Sequence, residues 1–399
     1  MSHALTLNAG SSSIKFALYR LAGADPDVVA SGQVERIGGD ATLRARSAAG
    51  EPLASRRLGA DEAADHAGAG GAILGFLGEA FPEAAVGVVG HRIVHGGPDF
   101  DAPVLLDEAT LARLARLAPL APLHQPHNLA GVEAAARAFP GVPQIGCFDT
   151  AFHRNHPFVN DVFALPRAYY DKGVRRYGFH GLSYEYVSGA LAERAPLLHA
   201  GRVVVAHLGN GASMCALLGG RSVASTMGFS ALDGLPMGTR CGQLDPGVVL
   251  YLMQEEGMGA DEVADLLYHR SGLLGLSGLS NDMRTLEAAG TKEAEEAIDY
   301  FVFRIRRELG ALAAALGGLD ALVFTGGIGE HSRLVRERVC TGCAWIGIEL
   351  DRGRNAEDRF VISAEESRVR VLVLPTDEER VIARACARHL AGATLRSLA

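Results

Sequence analysis

The sequence predicts an α/β protein made of two duplicated domains with a nucleotide cleft between them, and three segments carry that prediction. The first runs Ala4-Leu5-Thr6-Leu7 into Asn8-Ala9-Gly10-Ser11-Ser12-Ser13 and resumes as Ile14-Lys15-Phe16-Ala17-Leu18. It reads as a strand, a phosphate-sized turn and a second strand. The second segment repeats this layout about two hundred residues later: Val203-Val204-Val205-Ala206-His207-Leu208, then Gly209-Asn210-Gly211-Ala212-Ser213, then Met214-Cys215-Ala216-Leu217-Leu218. The third is Ala321-Leu322-Val323-Phe324-Thr325-Gly326-Gly327-Ile328-Gly329-Glu330, an apolar strand that ends in glycines before a helical stretch.

Each segment has a chemical reading. In the first turn, Gly10 beside three serines lets backbone N–H groups approach an anion, Asn8 offers a carbonyl to a metal ion or its water, and Lys15 adds positive charge. Alone, such a turn is also an ordinary hairpin connection; its recurrence in the other half is what points to a phosphate chain lying between two facing turns. The glycines at 326–329 allow close backbone approach to a nucleotide, with a helix N-terminus favouring negative charge beside them.

Bulk composition narrows the field. At 399 residues the chain exceeds what one core usually serves, so two domains are expected. A 48% hydrophobic fraction, few aromatics and 49 glycines suit a soluble α/β enzyme rich in tight turns. There is no apolar run of membrane-spanning length and no basic-then-apolar leader, so the expected location is cytoplasmic with no membrane partner. A net charge of −8 argues against a nucleic-acid partner and leaves anion recognition to local Arg, Lys and backbone donors. The six cysteines are scattered, and only Cys340-x-x-Cys343 has metal or redox spacing, with no second pair or nearby His to complete a zinc set. Reduced structural thiols are expected. Cys241, beside Arg240 in a glycine-rich loop, is the candidate for reactivity.

In chain order, residues 1–37 read as strands with turns, and 61–80 and 108–118 as helices. A strand over 86–94 ends at His95-Gly96-Gly97, and one over 144–148 ends at Asp149. Polar residues at the C-terminal ends of parallel strands face the ligand crevice of open α/β sheets, which singles out Arg92 and Asp149. A second half begins near 151, with helices over 183–194, 246–255, 292–316 and 379–391. His180 lies between glycines just before a helix, where a histidine is more often structural than catalytic. The loop Met227 to Arg240 is long and glycine-punctuated, and an Arg there can bridge phosphate oxygens bidentately. After the strand over 371–374, Thr376 and Glu379 have capping-box spacing, which leaves Glu378 to face the cleft and meet a metal.

With these residues assembled, the chain resembles the acetate and propionate kinase family, within the larger group sharing the actin, hexokinase and Hsp70 ATPase fold. The resemblance is nearly end to end. It rests on Asn8 to Lys15, Gly90-His91-Arg92-Ile93-Val94-His95-Gly96-Gly97, Ala121-Pro122-Leu123-His124, Phe148-Asp149-Thr150-Ala151-Phe152-His153, Arg176 to Gly181, His207 to Gly211, Met237 to Arg240 and Phe324 to Glu330. It implies two actin-like (ribonuclease H-like) domains, 1–150 completed by the helix at about 380–399, and 151–379 carrying the nucleotide.

The activity implied is reversible phosphoryl transfer from ATP to acetate, giving acetyl phosphate and ADP, with Mg²⁺ as cofactor, Mn²⁺ able to replace it, and a homodimer as the assembly. By resemblance, Asn8 and Glu378 hold the metal. Ser11, Ser13, Lys15, His207, Leu208, Gly209, Asn210, Gly211, Asp282, Met283, Arg284, Gly327, Ile328, Gly329, Glu330 and His331 bind the nucleotide. Arg92 takes the carboxylate, Asp149 is the catalytic carboxylate, and His180 and Arg240 stabilise the transferring group. An ionised acid needs no base, so Asp149 is expected to orient Arg92 or a metal-bound water.

The resemblance also implies that Val94, Leu123, Phe179 and Ala231 wall the methyl group of acetate. Ala231 stands where the family commonly has Pro, which leaves room for about one more methylene. His331 and Asp377 stand where the family has Asn; Leu182 and Tyr184 replace a small residue and a His, and Asn281 precedes the Asp282 motif. Propionate or butyrate kinase is the close alternative. A sugar kinase would need a base and a polar pocket, and a non-metabolic ATPase of the same fold would bind ATP without forming acyl phosphate.

Overall fold

The computed structural model describes residues 2–10, 13–23, 25–121 and 124–397, with side chains to 392. Ser11 and Leu123 therefore lie outside the described residues. The chain forms two compact units, Met1–Phe152 with Asp377–Ala399, and His153–Thr376.

The first unit is built on β1 (His3–Ala9), β2 (Ser13–Arg20), β3 (Asp27–Glu35), β4 (Thr42–Ser47), β5 (Pro52–Arg57), β6 (Val86–Ile93), β7 (Val104–Leu105) and β8 (Gln144–Phe148), in the order β5-β4-β3-β2-β1-β6-β8-β7. β1 to β5 form an antiparallel meander, whereas β1, β6 and β8 run parallel. Leu5, Phe16, Leu18, Val34, Leu43 and Val89 pack with Ile73 and Leu77 of the helix His66–Ala80 in one core. The helix Glu378–Ser397 covers the sheet closely enough that a Cβ at Gly90 would lie 2.4 Å from Ile382 Cγ2. Only glycine permits that approach, which seats the first turn of this helix at the sheet.

The second unit holds β9 (Arg202–Leu208), β10 (Ala212–Leu218), β11 (Arg221–Ser225), β12 (Ala321–Thr325) and β13 (Arg370–Val373), ordered β11-β10-β9-β12-β13. β9, β10 and β11 are antiparallel neighbours, and β9, β12 and β13 are parallel. This is the order β3-β2-β1-β6-β8 over again, so the duplication read from two turns extends through five strands. Val203 to Ala206 are buried from both sides, as the unbroken apolar run requires. The helix Lys292–Leu316 buries Phe301, Ile305 and Leu309; Thr291 caps its start by accepting from Ala294 N, and Gly317 ends it at φ 69°.

Sequence and structure differ in several elements. The first long helix starts at His66 rather than 61, because Asp65 caps it through Gly68 N. The helix expected over 108–118 ends at Ala115. β4, β5 and the helix Gln125–Ala138 were not anticipated.

Buried histidines give the fold an acid limit. Burial lowers His91 and His153 to about 4 and His156 to about 3, from an ordinary value of 6.5. Above that ordinary value these rings are neutral in both states. As pH falls below it, the unfolded chain takes up protons that the folded chain refuses, so stability drops until the folded values are reached. The urea midpoint is therefore expected to fall steadily between about pH 6.5 and about pH 4; a flat midpoint would contradict it.

Candidate active site

In the first unit three parallel strands end side by side. Leu7 of β1 pairs with His91 of β6, and Arg92 pairs with Cys147 of β8, so Asn8, Arg92 and Asp149 come next at the same edge. Arg92 Nε donates to Asp149 Oδ1 at 2.9 Å and NH2 to Oδ2 at 2.5 Å, a bidentate pair around a carboxylate only 1% exposed. Arg92 NH1 donates to Asn8 Oδ1 at 3.0 Å, and Glu378 Oε2 lies 3.9 Å from Nε. Burial by itself would weaken the guanidinium's charge, but Asp149, Glu378 and Glu379 reverse this and hold it more firmly protonated than usual. Asn8 Nδ2 donates to Glu378 Oε2 and Glu379 Oε1, each at 3.2 Å. Lys15 pairs across the hairpin with Asn8, and Ser13 closes the turn, its carbonyl accepting from Gly10 N at 2.8 Å. Val94 is buried, with its N–H donated to Asn128 Oδ1.

The second unit gathers its candidates at the equivalent edge. Thr325 of β12 pairs with His207 of β9, so the Gly209–Gly211 turn and the helix Gly326–His331 leave the sheet together. Gly326 sits at φ 75°, where a Cβ would come within 2.8 Å of the Leu208 carbonyl. Asn210 accepts from Gly238 N through its backbone at 3.0 Å and from Asn281 Nδ2 through its side chain at 3.3 Å, tying the turn to the Met237–Arg240 loop and to the start of the helix Met283–Ala289. Asp282 caps that helix and pairs with Arg284 at 2.7 Å. Glu330 accepts from Gly326 N and Thr376 N, bracing the strand ends. Gly327 and His331 are exposed and Ile328 is half-buried, while Gly329 is buried.

His180 precedes the helix Gly181–Arg194 with φ 57°, a left-handed conformation uncommon outside glycine. Its ring stacks on His207 with centroids 4.3 Å apart, and its Nδ1 lies 2.8 Å from Ser213 Oγ. The Phe179 carbonyl just before it is 3.0 Å from His153 Nε2. Arg240 NH1 donates to the Ala231 carbonyl at 3.0 Å, so the loop's two ends are held together.

A model of the acetokinase family matches residues 3–384. The chain belongs to the acetokinase family. It is 62% identical to the acetate kinase of Methylocella silvestris over 95% of this chain and 96% of the relative. The crystal structure of Porphyromonas gingivalis acetate kinase superposes with a TM-score of 0.86 at 40% identity, covering 98% of this chain and all of that one. A propionate kinase structure from Francisella tularensis gives a TM-score of 0.90 at 34% identity, covering 97% of this chain and 100% of the other. Acetate kinase activity, phosphoryl transfer with a carboxyl group as acceptor, is the function these relationships support, with propionate kinase the alternative.

For an acetokinase, the residue that the sequence hides is Glu379. Its expected capping box is replaced: Asp377 Oδ1 accepts from Arg380 N at 3.0 Å, and Glu379 turns inward to Asn8. Burial, reinforced by the charge of Glu378, raises the Glu379 carboxyl above its ordinary value. The two crowded carboxylates are hard oxygen donors that a divalent cation such as Mg²⁺ fits better than a soft metal, while Asn8 turns its Nδ2 to them and its carbonyl to Arg92. Among the described residues no group of three His, Cys, Asp or Glu side chains is placed to hold a metal ion. At Cys241, Cys340 and Cys343 burial favours the protonated thiol over the thiolate. Burial pushes Cys241 up to about 11, and Cys340 and Cys343 are buried and raised as well. No described helix is long and apolar enough to cross a membrane.

Proposed function

We propose that the first unit binds the acid and the metal, and that the second binds ATP and the oxygens of the transferring phosphoryl group. The observation that carries this reading is the Arg92–Asp149 pair. Among the described residues its bonds to Asp149 and Asn8 use Nε and one N–H on each terminal nitrogen, so that a second N–H on each terminal nitrogen would be offered to a substrate carboxylate. A carboxylic acid is already ionised at neutral pH, so Asp149 serves to aim and hold the Arg92 charge rather than to abstract a proton. Asn8 and Glu378, with Glu379 beside them, would hold Mg²⁺ or Mn²⁺. When bound, this cation supplies charge neutralisation at the nucleotide's phosphate oxygens.

Catalysis is then alignment plus electrostatics. By resemblance to the family, Lys15, Ser11 and Ser13 would meet the phosphates from the first unit. His207, Leu208, Gly209, Asn210 and Gly211 would meet them from the equivalent turn of the second. Asp282, Met283, Arg284 and Gly327 through His331 take the nucleoside end. His180 and Arg240 spread the charge that builds on the equatorial oxygens as the phosphoryl group passes in line to the acid. A cytoplasmic location suits these reactants. A homodimer is supported by the apolar side chains the second unit exposes, among them Leu250, Tyr251, Leu276, Phe303 and Trp345.

The acceptor is acetate first, with propionate used better than a proline-walled pocket would allow. By resemblance to the family, Val94, Leu123, Phe179 and Ala231 would meet the methyl group, and Ala231 lacks the ring carbons of the usual proline. One methylene in an apolar pocket is worth about 1–3 kcal/mol. Ala231→Pro is accordingly expected to lower the propionate-to-acetate ratio of kcat/KM by about tenfold; steady-state kinetics with both acids check it, and an unchanged ratio would refute the pocket assignment.

A further inference from the structure

The charge-spreading role of His180 needs an N–H at the nitrogen that faces the phosphate turn. That nitrogen is Nε2, for a Cβ placed on Gly211 would lie 3.2 Å from it. Which nitrogen carries the proton is decided by what the other one meets. Nδ1 lies 2.8 Å from Ser213 Oγ, and the same hydroxyl lies 2.5 Å from the Tyr184 phenol. Ser213 and Tyr184 are both fully buried.

The protons can be counted. Burial raises the Tyr184 phenol well above its ordinary value, so it stays protonated. Among the described residues its oxygen has one hydrogen-bond partner, Ser213 Oγ, so Tyr184 donates to it. Ser213 then has one proton of its own and one remaining partner, Nδ1. Donating to Nδ1 uses every proton. Accepting from an Nδ1–H instead would strand the serine proton in a buried site, a penalty that favours the first arrangement on the order of tenfold or more.

We propose that Ser213 is a positioning residue, locked in place by Tyr184, that fixes the neutral His180 ring with Nδ1 accepting and Nε2–H directed at the Gly209–Gly211 turn. Tyr184 acts by holding the serine hydroxyl in the rotamer that faces Nδ1. His207 stacks on the ring and is itself engaged by Ser183 Oγ at 2.8 Å, while Cys215 and His153 neighbour Tyr184. The proposal rests on the role given to His180 above.

Nitrogen-15 NMR of the histidine rings tests it in the full-length protein without nucleotide, with His180 assigned by His180→Gln. The wild type is expected to show His180 as the Nε2–H tautomer, Ser213→Ala a mixture of tautomers, Tyr184→Phe an intermediate shift, and Ser213→Thr the wild-type pattern. In parallel, kcat is expected to fall about tenfold in Ser213→Ala with KM for ATP and acetate within about twofold, and to recover in Ser213→Thr. An Nδ1–H ring in the wild type, or an identical tautomer in Ser213→Ala, would overturn the relay. If the tautomers behave as expected but His180→Gln keeps full kcat, the role of His180 fails and the relay stands.

Discussion

Arg240→Ala is expected to lower kcat by about a thousandfold or more, with unfolding behaviour close to wild type. A guanidinium placed on the equatorial oxygens of a phosphoryl group in flight is worth about 10³–10⁵ in rate, the equivalent of roughly 4–7 kcal/mol. The structure explains why the loss should be catalytic rather than structural. Arg240 sits half-buried on a loop, where its side chain donates to the Ala231 carbonyl and lies 3.7 Å from the Met237 sulfur. The loop's own frame, including Met237 N to the Arg240 carbonyl at 3.0 Å, is made by backbone that the substitution keeps. Arg240→Lys should recover part of the rate at most, since an ammonium cannot span two oxygens. Steady-state kcat with saturating ATP and acetate, alongside the urea midpoint, measures both terms. A kcat within tenfold of wild type would remove Arg240 from the reaction.

Arg92→Ala should fail differently, losing both acid binding and stability. It strips the guanidinium from a buried Asp149 and from the Glu378 and Glu379 carboxylates nearby, and breaking one side of a buried pair costs about 3–5 kcal/mol. The companion variant Asp149→Ala/Arg92→Ala removes both charges, so it should recover much of the stability and none of the activity. Urea unfolding and acetate-dependent turnover of the two variants separate these effects. Equal stability losses in both would mean that the ion pair is not what destabilises the single variant.

The parts of this fold that could be read from sequence are those whose signal is local. The helix Lys292–Leu316 is bounded by a threonine cap and a left-handed glycine, both visible as residue types at its ends. The parallel strands β6, β8, β9 and β12 are apolar runs ending in glycine or acid, and their neighbours in the sheet follow from the duplication. β5 escaped because it is a largely exposed edge strand of Pro, Arg and Ser with little apolar alternation to detect. The helix Gln125–Ala138 opens on Pro126, directly after the Ala121-Pro122-Leu123-His124 motif, and it lacks a side-chain cap that would mark its start.

At the candidate site, residue types were legible but partnerships were not. Arg92 and Asp149 each stood out as polar strand ends, yet their bidentate pairing joins residues 57 apart and depends on β6 lying beside β8. Thr376 and Glu379 have the spacing of a capping box, but Asp377, one residue closer, takes the cap, and this frees Glu379 to reach Asn8, 371 positions away, beside Glu378. Tyr184 reads as an unexplained departure in sequence. In the fold it is a buried phenol whose partner, Ser213, comes from β10.

The most direct measurement is to incubate the purified protein with Mg-ATP and acetate, propionate or butyrate, and to trap any acyl phosphate as its hydroxamate. The proposed mechanism predicts strong acetate-dependent product, less with propionate, and loss of both in Arg92→Ala and Arg240→Ala. ATP binding with no hydroxamate from any of the acids would contradict it.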